Sequence, residues 1–166
     1  METEIIKLFK QIIEKNSGGE VFHDNMSRMA HMWGLQGFKR LHRYNSCEDR
    51  ARRVSFQHYI IDRYGENLEP DWNYEAPIIK SIEEMIDEYI KWEESVIRDM
   101  SMAGNMLIEK GYVVEGQKAQ ACLCDVTNEI IKAKRYKQDF EKSGYNWEYI
   151  RIVDKEIHDK YKKLEK

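Results

Sequence analysis

Apolar residues recur along this chain three and four positions apart, the spacing of one helix face, and the pattern breaks in only a few places. Ile5, Ile6, Phe9, Ile12 and Ile13 open the first stripe, and Val21, Phe22, Met26, Met29, Ala30 and Trp33 resume it. Between them stands Asn16-Ser17-Gly18-Gly19. Each glycine costs a helix interior about 1 kcal/mol relative to alanine. The spacing predicts a helix over residues 2–33 that is either kinked there or broken and restarted with Ser17 as its cap. Gly34-Leu35-Gln36-Gly37 marks a turn. A second helix follows from Phe38 to Tyr64, with Gly65 placed as a left-handed stop.

The centre of that second helix, Cys47-Glu48-Asp49-Arg50-Ala51-Arg52-Arg53, is charged all round, although one side of it must face a neighbour. Residues 66–77 hold both prolines of the chain and read as a loop. Twelve extended residues reach roughly 40 Å, the length of a helix of roughly 27 residues. The loop can therefore cross the whole length of a bundle. A third helix is expected from Ile78 to Lys110, with an irregularity at Gly104. Gly111 and Gly116 bracket a short connection, and a fourth helix runs from about Gly116 to Lys142. Its stripe is Ala119, Leu123, Val126, Ile130, Ala133 and Phe140. A shorter fifth helix starts at Asn146, and its charged end, Lys160 to Lys166, is expected to fray. The pattern describes one all-α domain over residues 1–166: four long helices, a long crossover between the second and third, and a short last helix.

One residue breaks the rule that the stripes are apolar. In the third helix the positions Tyr89, Val96 and Ile97 share a face with Glu93. A carboxylate facing the interior costs several kcal/mol unless a cation, a donor set or a bound proton meets it. The partner is either a buried arginine or a metal ion.

Composition narrows the field. Charged residues make up 34% of the chain but balance to a net charge of −3, so neither a basic nucleic-acid surface nor an acidic tail stands out. No apolar run is long enough to span a membrane, and Met1-Glu2-Thr3-Glu4 lacks the basic start of a signal peptide, so a cytoplasmic protein is expected. Cys47, Cys122 and Cys124 are read as reduced thiols, because Cys-Leu-Cys lacks zinc-knuckle spacing. The five histidines include no pair at four-residue spacing. His23 with Asp24 and His31, or His58, offers at most a displaced site, and all five are read as surface or boundary residues. The methionines are read as core filling.

The turn Gly34 to Gly37, the run Phe38-Lys39-Arg40-Leu41-His42 leading to Glu48-Asp49, the end Tyr64-Gly65-Glu66-Asn67-Leu68 and the segment Ile90-Lys91-Trp92-Glu93-Glu94 together resemble the non-haem bacterial branch of the ferritin family. The resemblance covers nearly the whole chain. It implies a ferritin-like four-helix bundle, self-association as a dimer or cage, and iron as ligand and cargo. It also implies a di-iron ferroxidase centre built from a first-helix Glu, a second-helix Glu-x-x-His, a third-helix Glu and fourth-helix Gln or Glu residues. In this chain Glu93 matches the third-helix ligand, Asp49 or Glu48 stands in the second helix, and Glu129 lies beside the fourth-helix positions. The first-helix position falls near Asn16, and Arg52 stands about where the imidazole belongs. The ligand set is incomplete. The resemblance therefore implies an iron-handling or iron-storage protein whose ferroxidase activity is open, with Arg52 or Arg53 expected to neutralise Glu93 and Asp49. The other reading is a non-enzymatic structural or interaction protein with ion pairs in place of the metal.

Overall fold

The structure, a computed structural model, describes residues 2–164. Its helices are α1 (Thr3–Met32), α2 (Gln36–Tyr64), α3 (Ile82–Glu109), α4 (Val113–Gln120), α5 (Leu123–Lys142) and α6 (Trp147–Lys162). No strand occurs among the described residues. The expected end of the tail at Glu165 and Lys166 lies outside the described residues, and α6 runs on to Lys162. No described helix is long and apolar enough to cross a membrane.

Helix α1 is continuous through Ser17-Gly18-Gly19, so it is not broken and restarted there. Neighbouring side chains fill the space that the glycines leave. A Cβ on Gly18 would lie 3.0 Å from the ring of Trp92, and one on Gly19 only 2.2 Å from the Asp49 carboxylate. Ser17 donates back to the Glu14 carbonyl instead of capping a new helix. Helix α2 ends as expected at Gly65, whose φ of 69° is left-handed.

The crossover is longer than the sequence indicates, because α3 begins at Ile82 and not at Ile78. Ser81 is the better start. Its hydroxyl accepts from Glu84 N at 3.1 Å, while the Glu84 carboxylate accepts from Lys80 N at 2.8 Å, a reciprocal cap of the Ser-x-x-Glu type. The strap is tied down along its way. Gln57 donates to Leu68 O, Lys10 pairs with Asp71, and Asn25 donates to Pro77 O. It returns the chain to the far end, so that α2 and α3 run the same way.

The fourth bundle helix is two pieces, α4 and α5, separated at Ala121-Cys122. Helix α4 already begins at Val113, ahead of Gly116. Gly116 is instead a contact point: a Cβ there would lie 2.5 Å from Gly104 O, so α3 and α4 meet backbone to backbone, and α3 passes Gly104 unbroken. The buried Glu115 fixes α4 to α2 by accepting hydrogen bonds from Tyr59 and Tyr64.

Helix α6 runs alongside α2 in the same direction, with Asp154 against Phe38 and Tyr161 against Tyr44. The Asp154 carboxylate accepts from Phe38 N at 2.8 Å and so caps a helix start that has no local side-chain cap. Closeness depends on Gly37, where a Cβ would fall 1.8 Å from Asp154 O. Gly37→Ala must push α6 off α2 and is expected to destabilise the chain by about 2 kcal/mol, the scale of an overpacked contact. Urea unfolding followed by helicity reads this, and an unchanged midpoint would disprove the seating.

Candidate functional site

Glu93 faces the bundle interior, as its place on the α3 stripe predicts, and is only 4% exposed. Its partner is an imidazole. His23 Nε2 of α1 lies 3.1 Å from Glu93 Oε1 and 3.8 Å from Asp49 Oδ2 of α2. The other ring nitrogen, His23 Nδ1, lies 3.1 Å from His42 Nδ1. These contacts assign the protons. Nε2 donates to the carboxylate, so in neutral His23 the Nδ1 accepts and His42 Nδ1 donates. That leaves His42 Nε2, which has no partner among the described residues, as a bare lone pair and not a stranded N–H. His42 is held well below its ordinary pKa, first by complete burial and then by His23 and Lys132, so it serves as a fixed neutral donor. The edge of Tyr89 packs against both rings.

Asp49 sits in the gap over Gly19 and receives Arg52 Nη1 at 2.9 Å, while Arg52 Nη2 reaches Glu48 Oε2 at 3.5 Å. Burial dominates Asp49 and, with Glu93 beside it, pushes its carboxyl up to about 7 despite the pull of His23 and Arg52. On the α5 side, Glu129 is met from three directions. Tyr89 OH donates to it, Asn45 Nδ2 lies at 3.2 Å, and Lys132 Nζ at 2.6 Å. Burial works against the Glu129 anion, yet Lys132 and these donors hold it below the usual carboxylate range. Lys132 also donates to Tyr161 OH at 2.5 Å, so α6 supports the site from outside. Tyr44, Glu48, Asp49, Arg52, Glu93 and Glu129 open onto a common cavity of about 300 Å³.

The structure thus brings all four carboxylates expected from the sequence (Glu93, Asp49, Glu48 and Glu129) to one cavity. It does not bring them together as a ligand set. Among the described residues no group of three His, Cys, Asp or Glu side chains is arranged to hold a metal ion. A di-iron centre does not fit these residues: Arg52 covers Asp49 and Glu48, and Lys132 covers Glu129. The expectation for arginine is half right. Arg52 takes Asp49 but not Glu93, whereas Arg53 turns outward to Glu20, Gln57 and the ring of Trp72.

Reading all five histidines as surface or boundary residues is corrected for His23, 1% exposed, and His42, fully buried. The signal was present in α1. Ile12, Asn16, Gly19, His23, Met26 and Ala30 form one stripe at alternating spacings of three and four. His23 occupies a core position on it, with Gly19 leaving room for the carboxylate that it faces. Lys132 was equally legible as the residue one turn beyond Glu129.

No protein-family model matches the chain, and no curated protein matches it in sequence. Solved structures do match. The chain is similar to a humanized archaeal ferritin at 14% identity, covering 95% of this chain and 97% of that one with a TM-score of 0.84. It is also similar to an open pore ferritin from the hyperthermophilic archaeon Archaeoglobus fulgidus, at 14% identity, 95% and 96% coverage and a TM-score of 0.85. The chain has the ferritin fold. The ferritin-like bundle read from the crossover is therefore correct, and the cavity with Glu93, Asp49 and Glu129 lies at the heart of that bundle.

The protonation of Asp49 leaves a mark on the stability of this ferritin-fold bundle. Native Asp49 keeps its proton up to about pH 7, whereas the unfolded chain releases it near the ordinary aspartate value of 3.8. Between these values the native state binds more protons, so this group's contribution to stability is lost as pH rises through the interval. Asp49→Asn cannot titrate. Its urea midpoint is expected to fall less than that of the parent chain between about pH 4 and pH 7. Parallel curves would refute the assignment.

Proposed function

We propose that this chain is a ferritin-like iron-handling protein of the cytoplasm whose own bundle does not oxidise iron. The observation that carries this reading is the pairing at the cavity. Glu93 is met by His23, Asp49 and Glu48 by Arg52, and Glu129 by Lys132. Placing Fe(II) among these carboxylates means displacing a guanidinium, an ammonium and the Nε2 proton of His23 from contacts already made. That opposes entry of two ferrous ions as substrate. Three free thiols fit a reducing compartment.

In this reading the chain contributes to iron storage as a subunit of a homo-oligomer or mixed shell, with oxidation left to another subunit. The same pairs also support a second reading, a purely structural or interaction protein on the ferritin fold, because a bundle neutralised by its own cations needs no iron to stay folded. Native mass separates the two: a many-subunit shell supports storage, and a monomer or dimer supports the interaction role.

The decisive measurement is aerobic Fe(II) oxidation by purified protein, with iron content determined on the same sample. The parent chain is expected to oxidise Fe(II) no faster than buffer. Arg52→His, which places an imidazole one turn after Asp49, is expected to raise retention of divalent ions above the parent. Rapid, saturable oxidation at about two irons per parent chain would overturn the proposal.

A further inference from the structure

A second cavity of about 300 Å³ lies on the other side of Arg52, where the break between α4 and α5 opens the bundle. Its floor is apolar: Ile12, Phe56, Met100 and Ala119 are all buried. The polar groups around that floor are of both signs, and their usual partners are missing. Lys118 rests its ammonium 4.6 Å from the centre of the Tyr59 ring and has no carboxylate partner among the described residues. The Asp125 carboxylate, shared with the mouth of the first cavity, likewise makes no ion pair or hydrogen bond among the described residues. Arg52 spends its two terminal nitrogens on Asp49 and Glu48, which leaves its Nε–H unused. Asn16, only 4% exposed, donates through Nδ2 to Ile12 O at 2.9 Å, and its Oδ1 accepts from no described residue.

This set excludes simpler ligands. A plain carboxylate meets Lys118 and the free Arg52 donor but also faces Asp125 and the Asn16 oxygen. A plain amine meets the reverse. A neutral apolar molecule seated in the cavity cuts the Asn16 oxygen and the Arg52 donor off from water without giving either a partner, and a polar group left so is costly. A molecule that carries both charges on adjacent atoms and an apolar side chain answers every group at once. We propose that this cavity binds a small apolar α-amino acid. Its carboxylate lies towards Lys118 and Arg52 Nε, its ammonium towards Asn16 Oδ1 and Asp125, and its side chain on Ile12, Phe56 and Met100. The volume is at the small end of ligand cavities and suits a molecule of this size. The site shares Arg52 and Asp125 with the central cavity, but its test acts on Lys118 and Asp125, neither of which pairs with Glu48, Asp49, Glu93 or Glu129.

The test is calorimetric titration of the full chain with L-leucine, and with two fragments of it, 4-methylpentanoate and 3-methylbutylamine. Leucine is expected to bind saturably at one per chain, and each fragment at least about fivefold more weakly, the size of one partly exposed charge interaction. The variants cross over. Lys118→Met is expected to weaken leucine and the carboxylate by about fivefold and leave the amine unchanged, and Asp125→Asn to weaken leucine and the amine and leave the carboxylate unchanged. Both residues are exposed, so both variants are expected to melt like the parent chain. Failure of leucine to saturate by about 10 mM, a tightness short of about 3 kcal/mol, would overturn the proposal. So would fragments that bind as tightly as leucine, or variants that do not cross over. None of these results depends on whether the chain oxidises iron.

Discussion

A carboxylate in the middle of a bundle sets the terms for everything around it. Glu93 cannot be buried alone, and the rest of the interior is arranged to meet it: His23 from α1, held in one tautomer by His42 from α2, with Tyr89 of α3 closing the rings in. Asp49 reaches the same imidazole only because Gly19 has no side chain. Replacing any one of these groups strands another. The interior is therefore a closed chain of polar dependencies inside an apolar shell of fully buried rings such as Phe9, Phe22, Phe38 and Phe140.

Charge matching extends this logic to the cavity edge. Three further carboxylates are answered from their own helices, Glu48 and Asp49 by Arg52 and Glu129 by Lys132, at spacings of three or four residues. Neutralisation within one helix needs no exact registry between helices, unlike a metal, whose ligands must converge from several elements. Such a centre tolerates a splayed seam, and the cavities on either side of Arg52 lie along that seam.

The helices and the crossover were legible because period and length alone determine them. Stripes, two prolines and Gly65 were enough. The boundaries that the sequence reading missed were decided by contacts between elements. Ser81 displaced Ile78 as a helix start through its exchange with Glu84, and Gly116 marks a helix crossing and not a loop edge. At the site, Glu93 stood out as a charge on an apolar stripe. His23 did not, because histidine is at home on either side of a surface boundary and the adjoining glycines disguised the stripe to which it belongs. Arg52 was legible as a cation in the right helix. Which carboxylate it meets depends on side-chain reach, which spacing does not encode.

The cap that Asp154 places on Phe38 N joins the beginning of α2 to the last helix of the chain. During synthesis the second helix emerges long before the residue that completes its amino end. Until α6 has left the ribosome, the first turn of α2 has open amide groups and Gly37 faces an empty groove. Helices α1 to α5 can assemble beforehand, but this edge of the molecule is finished only when α6 docks. A chain cut short by a few turns would lose a helix and also leave an earlier one unsealed, and would be marked as incomplete at a site far from the cut.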